Sequence, residues 1–320
     1  MKTKICMIVL TALAFSGTAA AALTLQDDVD KNGHSDIFFS GGSSLAYWRS
    51  DWEGYGLGFD SRYAGDGGAG YKVVAVSDFD GDHSADVLWS NGSQLKMWIN
   101  NGSGSYTPRP AGTYGGGWEP FAARDLNGDR KSDILFRRGT ALVFWLMDGA
   151  NILQDNYFGD GGPGYRVIAL DDYDADGAAD VLWSNGSQLK VWRSRAGHAT
   201  SVIGNYGGGW EAFASGDING DGVADILFRS GTHIAYWLMN ANHQVNGIFY
   251  GGDGGAGFRV IAVSNYFGST STQILWADGS RIKLWWYYRA EFLPYFFDYA
   301  PGGLVPYGGG WQPLSLLIPQ

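Results

Sequence analysis

Cysteine occurs once, at Cys6, so no disulfide can form within the chain. Charge is also scarce. Charged residues make up 17% of the 320 residues, with 22 Lys and Arg against 32 Asp and Glu, and the net charge of -10 leaves no basic stripe for a phosphate backbone. Nucleic acid is therefore not an expected partner. Long apolar runs are missing beyond the N-terminus, where the segment from Ile5 to Phe15 is well short of the roughly 20 residues that cross a bilayer. Preceded by Lys2 and Lys4 and followed by Ala19-Ala-Ala21, it reads as a bacterial-type signal peptide over residues 1–21, cleaved near Ala21 or Ala22. The expected mature chain is one domain over residues 22–320, not membrane-embedded, delivered to the periplasm or outside the cell, and free of cysteine. What is abundant is glycine, at 50 residues, and aromatics, at 15%, a balance that points to many short strands and tight turns.

Those strands belong to repeats. Acidic turns begin at Asp28, Asp78, Asp125, Asp172 and Asp217, with a degenerate copy at Asn265, in steps of 45 to 50 residues that suit one four-stranded propeller blade each. Twenty residues after each start stands a tryptophan: Trp48, Trp98, Trp145, Trp192, Trp237 and Trp285. Eleven residues after it stand Phe39, Trp89, Phe136, Trp183, Phe228 and Trp276, alternating Phe and Trp. Aromatics at fixed depth in every unit predict a core between stacked blades. Apolar β-formers such as Val73–Val76 enter the turn and Asp86-Val-Leu-Trp89 leaves it, while Asn91-Gly92 and Asn185-Gly186 predict two-residue hairpins with positive φ at both positions. A less regular fourth strand is expected to give way to glycine-rich linkers such as Tyr157–Gly162. Junctions alternate as well: Tyr114-Gly-Gly-Gly-Trp118, Tyr206-Gly-Gly-Gly-Trp210 and Tyr307-Gly-Gly-Gly-Trp311 take turns with Gly-Asp-Gly-Gly segments carrying Asp66, Asp160 and Asp253. The reading is an all-β, six-bladed propeller of three double blades, seven blades being the alternative. The closing segment from Trp311 matches a strand that enters an acidic turn and can complete the first unit, leaving no exposed edge.

Each intact turn offers oxygens at its first, third, fifth and ninth positions. These are Asp28, Asp30, Asn32 and Asp36; Asp78, Asp80, Asp82 and Asp86; Asp125, Asn127, Asp129 and Asp133; Asp172, Asp174, Asp176 and Asp180; and Asp217, Asn219, Asp221 and Asp225. Alternating carboxylate and amide oxygens in a tight loop, with a backbone carbonyl expected at the seventh position, are hard ligands suited to Ca²⁺ and less to Mg²⁺. Seventeen of the 32 acidic residues occupy these positions, a repulsion that opposes folding without counter-ions. Loss of Lys2 and Lys4 takes the net charge from -10 to -12, and five divalent ions return it to -2. Five structural calcium ions would then take the place of disulfides. The sixth copy, from Asn265 to Gln273, has no carboxylate and is expected to hold no ion.

These DxDGDxxxD and DxNGDGxxD turns, followed from the second to the fifth by Ile-Leu-Phe or Val-Leu-Trp, resemble the FG-GAP and VCBS repeats of integrin-like β-propellers. The resemblance covers nearly all of the mature chain. It implies a propeller with structural calcium loops at the blade corners, in a class that includes adhesion modules, fungal and bacterial propeller lectins, and accessory domains of polysaccharide-degrading enzymes. Lectins of this type tend to have seven blades, and the Tyr-Gly-Gly-Gly-Trp junction is not part of the general motif.

Aromatic faces beside glycine turns suit sugars, whose C–H faces stack and whose hydroxyls hydrogen-bond. Tyr114 with Trp118, Tyr206 with Trp210, and Tyr307 with Trp311 are the expected walls of three like carbohydrate pockets between blades, with Asp66, Asp160 and Asp253 as hydroxyl acceptors. The expected function is a non-catalytic, lectin-like binder of glycans or glycoproteins on a cell surface or polysaccharide, three weak sites adding avidity. A protein-binding adhesion module and a polysaccharide lyase or glycosidase are the alternatives. Catalysis is disfavoured because the acids are committed to metal loops, the five histidines occupy non-equivalent positions, and no GxSxG, HExxH or P-loop appears.

Overall fold

The computed structural model describes residues 27–52, 57–289, 294–299, 305–307 and 310–318. The expected signal peptide lies outside them. All regular elements among the described residues are strands, and each repeat unit forms one antiparallel sheet of four successive strands, six in all, arranged as a ring, with the short strand Val305–Pro306 also pairing with Arg281–Arg289 in the sixth. Six is thus the blade number.

The second blade shows the plan. Lys72–Ser77 is the innermost strand, followed outward by Asp86–Ser90, Gln94–Asn100 and Tyr106–Thr113. Second strands such as Asp180–Ser184 are buried throughout and read as continuous β-formers, because both faces are covered. Outer strands such as Gln244–Asp253 alternate exposed and half-buried residues, as one wet face requires. The fourth strand of the third blade runs from Asn151 to Asp160, so four of the six residues of the expected glycine-rich linker are strand. At the hairpins only the glycines have positive φ, +95° at Gly92 and +88° at Gly186. Asn91 and Asn185 instead cap the turn, their side-chain oxygens accepting from the amides of Ser93 and Gln94 and of Ser187 and Gln188.

The first blade is closed by the C-terminus. Gln312–Pro313 pairs with Ile37–Gly41, with Ser40 opposite Gln312 and Phe39 opposite Pro313, and supplies the inner strand missing from the first unit. A second closure runs through the corners. The eighth-position amide of each acidic turn donates to the first-position carbonyl of the turn before it: Ala85 to Asp28, Ser132 to Asp78, Ala179 to Asp125, Ala224 to Asp172, Thr272 to Asp217 and Ser35 to Asn265, all at 2.6–2.8 Å. The six corners form one hydrogen-bonded hoop.

The two aromatic series meet in every blade. Phe39–Trp48, Trp89–Trp98, Phe136–Trp145, Trp183–Trp192, Phe228–Trp237 and Trp276–Trp285 have ring centroids 4.6–4.8 Å apart. Each hydrophobic cluster spans two neighbouring blades, so this is the inter-blade core that the spacing predicts. Backbone of the preceding blade approaches these rings closely. A Cβ on Gly161 would lie 2.2 Å from the Trp183 ring, and one on Gly67 2.4 Å from Trp89, so glycine is required there.

Candidate functional site

Each acidic corner is curled around its first carboxylate. In the first corner, Asp28 Oδ1 accepts from the Lys31 amide and Oδ2 from the Gly33 amide, both at 2.8 Å, and the other corners repeat the pattern. The curl needs left-handed backbone at the fourth and sixth positions, taken by non-glycine residues at Lys31, His83, Arg130 and Ala175. The ninth residue ties the loop to the sheet. Asp36 accepts from the amides of Val29 and Ser50, Asp86 from Phe79 and Asn100, Asp133 from Leu126 and Met147, and Asp225 from Ile218 and Met239, at 2.7–3.0 Å.

Burial of so many acids is electrostatically costly. Desolvation lifts the ninth carboxyls to about 8 in Asp36, Asp86, Asp180 and Asp225 and about 7 in Asp133. It also raises the first-position carboxyls, to about 6 in Asp172 and Asp217. Three corners gather carboxylate oxygens within 4.8 Å of one another: Asp28, Asp30 and Asp36; Asp78, Asp80 and Asp86; Asp172, Asp174 and Asp176. Buried oxygens of Asp30, Asp174 and Asp180 have no hydrogen-bond partner. In the third and fifth corners, Asn127 and Asn219 replace the third-position acid, and their amides donate to Asp129 and Asp221 at 3.0 and 2.9 Å. An orphaned, crowded set of hard oxygens fits a divalent cation.

The sixth corner keeps the link to its neighbours without acids, its backbone left-handed at the fourth position, Gly268, and not at the sixth. Gln273 takes the ninth position, and its Oε1 accepts from the amides of Tyr266 and Phe267 at 2.6 and 3.1 Å. Its Nε2 donates to the Ser271 carbonyl at 2.7 Å and to Ser269 Oγ at 3.1 Å, the seventh- and fifth-position oxygens. A neutral N–H donor thus satisfies the oxygens that a cation would otherwise satisfy.

The alternation of Phe and Trp along the sequence becomes an alternation of blade faces. In the second, fourth and sixth blades, Trp89, Trp183 and Trp276 stand opposite Lys96, Lys190 and Lys283 across the sheet. These ammonium groups lie 3.9, 3.8 and 4.7 Å from the rings of Tyr71, Tyr165 and Phe258, and Lys190 also donates to the Gly161 carbonyl at 2.7 Å. Cation–π contact seals these faces. In the first, third and fifth blades, Phe39, Phe136 and Phe228 stand opposite Ala46, Val143 and Ala235, and the next strand carries Tyr63, Tyr157 and Tyr250. These tyrosines are 63%, 62% and 58% exposed. Half-buried Trp311 and Trp210 meet Tyr63 and Tyr250 edge to face at 6.2 and 6.5 Å, and Arg138 lies over Trp118 at 4.6 Å.

The junction residues separate into two groups. Tyr114, Tyr206 and Tyr307 pack on Phe136, Phe228 and Phe39 with centroids 5.2–5.6 Å apart, and the hydroxyls of Tyr114 and Tyr206 bond to Ser90 and Ser184. Trp210 and Trp311 border the open faces of the fifth and first blades, and Trp118 borders that of the third with Arg138 over its ring. Asp66, Asp160 and Asp253 are exposed; Oδ1 of each accepts from the amide of Gly68, Gly162 or Gly255, and hydroxyls of Ser43, Thr140 and Thr232 hold the carboxyls below their usual range. Tyr63, Tyr157 and Tyr250 escape a reading based on the junctions. Their signal is a fixed offset, three residues before Asp66, Asp160 and Asp253.

Six sheets in a ring, with acidic loops at five of the corners, define a β-propeller of repeated units. The chain carries FG-GAP-like repeats, matched by that family over residues 78–136 and 172–228. No curated protein matches the sequence. Among solved structures it is similar to an Agrocybe aegerita lectin that recognises non-reducing terminal N-acetylglucosamine, at 16% identity and TM-score 0.58, over 82% of this chain and 77% of that one. It is also similar to a chain of a nidogen/laminin complex, at 11% identity and TM-score 0.54 over 78% and 88%, and to a streptogramin B lyase, at 10% and 0.51 over 87% and 84%. At such identities these likenesses establish the propeller fold alone.

Proposed function

We propose that this protein is an exported, calcium-stabilised propeller that binds carbohydrate, without catalysis, on the open faces of its first, third and fifth blades. The observation that carries the reading is the threefold recurrence of an exposed tyrosine, at Tyr63, Tyr157 and Tyr250, at a strand position that holds Pro110 and Val202 in the second and fourth blades, whose junction aromatics Tyr71 and Tyr165 are capped by lysine. A tryptophan and a tyrosine meeting nearly at right angles, as Trp210 and Tyr250 do at 75°, offer one ring face to a pyranose and a wall beside it. Asp66, Asp160 and Asp253 supply nearby acceptors. Three sites on one rigid ring gain avidity on a glycan-coated surface. The likeness to an N-acetylglucosamine-recognising lectin is compatible with this reading. Ca²⁺ ions at the acidic corners supply the stability that disulfides would give, since burial of uncompensated carboxylates otherwise opposes the fold.

A glycan array probed in calcium tests the binding. Specific glycan signal is expected, falling at least about tenfold when Trp118, Trp210 and Trp311 are changed to Ala together, the loss of about 1.4 kcal/mol or more of stacking. Silence across the array from folded protein would favour a protein partner, and release of new reducing ends from a polysaccharide would favour an enzyme.

A further inference from the structure

The fourth corner differs from the other four acidic corners in one residue that comes from the next blade. His243 sits in the hairpin between His233–Asn240 and Gln244–Asp253, with φ of +60°, and is 8% exposed. A ring nitrogen of His243 lies within 4.8 Å of carboxylate oxygens of Asp174 and Asp180, which are within that distance of each other. All three side chains have a buried atom without a hydrogen-bond partner: His243 Nε2, Asp174 Oδ1 and Asp180 Oδ2. In the other acidic corners both oxygens of the ninth residue accept backbone amides, whereas Asp180 accepts only through Oδ1, from Ser194 at 2.9 Å. Arg193 reaches the same cluster from its own blade, but against Asp172, Asp174, Asp176 and Asp180 it leaves a negative excess.

We infer that the fourth corner is a mixed nitrogen–oxygen site that takes a divalent transition-metal ion of the zinc type in preference to calcium, with Asp174, Asp180 and His243 as ligands. Imidazole is a borderline donor that suits Zn²⁺ and Co²⁺, and calcium gains little from it. Bonds of about 2.0–2.2 Å require donors within about 4.4 Å of one another, a span compatible with atoms that all lie within 4.8 Å. The inference rests on the reading that this corner holds a cation, but not on calcium filling the other four. The site would bridge the fourth and fifth blades, since its ligands come from both.

Cobalt is the probe, because it reports its ligands through visible absorption. In protein equilibrated with millimolar Ca²⁺, one equivalent of Co²⁺ is expected to bind with d–d bands and to be displaced by Zn²⁺. His243→Asn, which tolerates positive φ, is expected to lose that equivalent while its calcium stoichiometry at the other corners is unchanged. A second readout needs no variant: Zn²⁺, and not Ca²⁺, should shift the His243 ring-nitrogen resonances of the wild-type chain. Unmoved resonances, or Co²⁺ binding that survives His243→Asn, would overturn the inference. Absence of calcium from the other corners would instead sink the calcium reading and leave this result standing.

Discussion

The five acidic corners and the sixth one solve the same problem with different chemistry. All six must present a first-position carbonyl to the next loop and an eighth-position amide to the previous one, because the hoop of hydrogen bonds passes through every corner, including Ser35 to Asn265 at 2.7 Å. In five, the loop curls around carboxylates that burial leaves crowded and short of positive charge. In the sixth, Gln273 spans the loop with its own amide, accepting from Tyr266 and Phe267 and donating to Ser269 and Ser271. The hoop therefore demands the loop shape, and the shape can be held by an internal donor or by an ion. A corner built with Gln is completed by its own side chain; a corner built with Asp gathers carboxylates that could hold a cation.

Three measurements press on that contrast. The largest effect belongs to ion removal. A site saturated at about 100 times its Kd contributes about 2.7 kcal/mol, so emptying two corners with a chelator is expected to lower Tm by about 8 °C, and emptying more corners by more. A chelator-insensitive melt would erase the difference between the corners. The next effect is a reversal with pH. In metal-free protein, the ninth carboxyls bind protons more tightly folded, at about 7 to 8, than unfolded, at 3.8. Their contribution to stability is thus present below about pH 4 and lost as pH rises through 8, so metal-free protein should melt at lower temperature at pH 8 than at pH 5. With calcium bound the slope should turn positive, because the ion needs the ionised carboxylates. Equal slopes with and without calcium would contradict this. The smallest effect comes from the sixth corner. Gln273→Leu leaves buried amides unpaired and should cost about 2–3 kcal/mol equally in calcium and in chelator. Gln273→Glu, which replaces the donating amide with a carboxylate, should be destabilised most in chelator and recover partly in calcium. Denaturant melts of both variants under the two conditions would distinguish a corner held by its own donor from one held by an ion.

Much of the architecture was legible along the chain because a repeat encodes itself many times. The starts at Asp28, Asp78, Asp125, Asp172, Asp217 and Asn265, with two aromatics at fixed offsets, were enough for six blades, the inter-blade core and closure by the segment after Trp311. Periodicity carries this information because strand alternation and a constant blade length leave each side chain one place to point. Hairpin detail at Asn91 was less legible, since asparagine serves a tight turn either by adopting positive φ or by capping it with its side chain, and composition does not say which.

Contacts between residues far apart in the chain were beyond the repeat pattern, and only folding could settle them. Lysine covers aromatic rings on alternate blades, Lys96 meeting Tyr71 across a sheet, and among the described residues Tyr63, Tyr157 and Tyr250 are the strongly exposed aromatics. His243 joins Asp174 and Asp180 from another blade, and Gln273 turns its amide inward where five other loops place a carboxylate. Spacing ties each residue to a strand and a face; whether its polar atoms end up paired, orphaned or exposed depends on what the neighbouring blade brings against them.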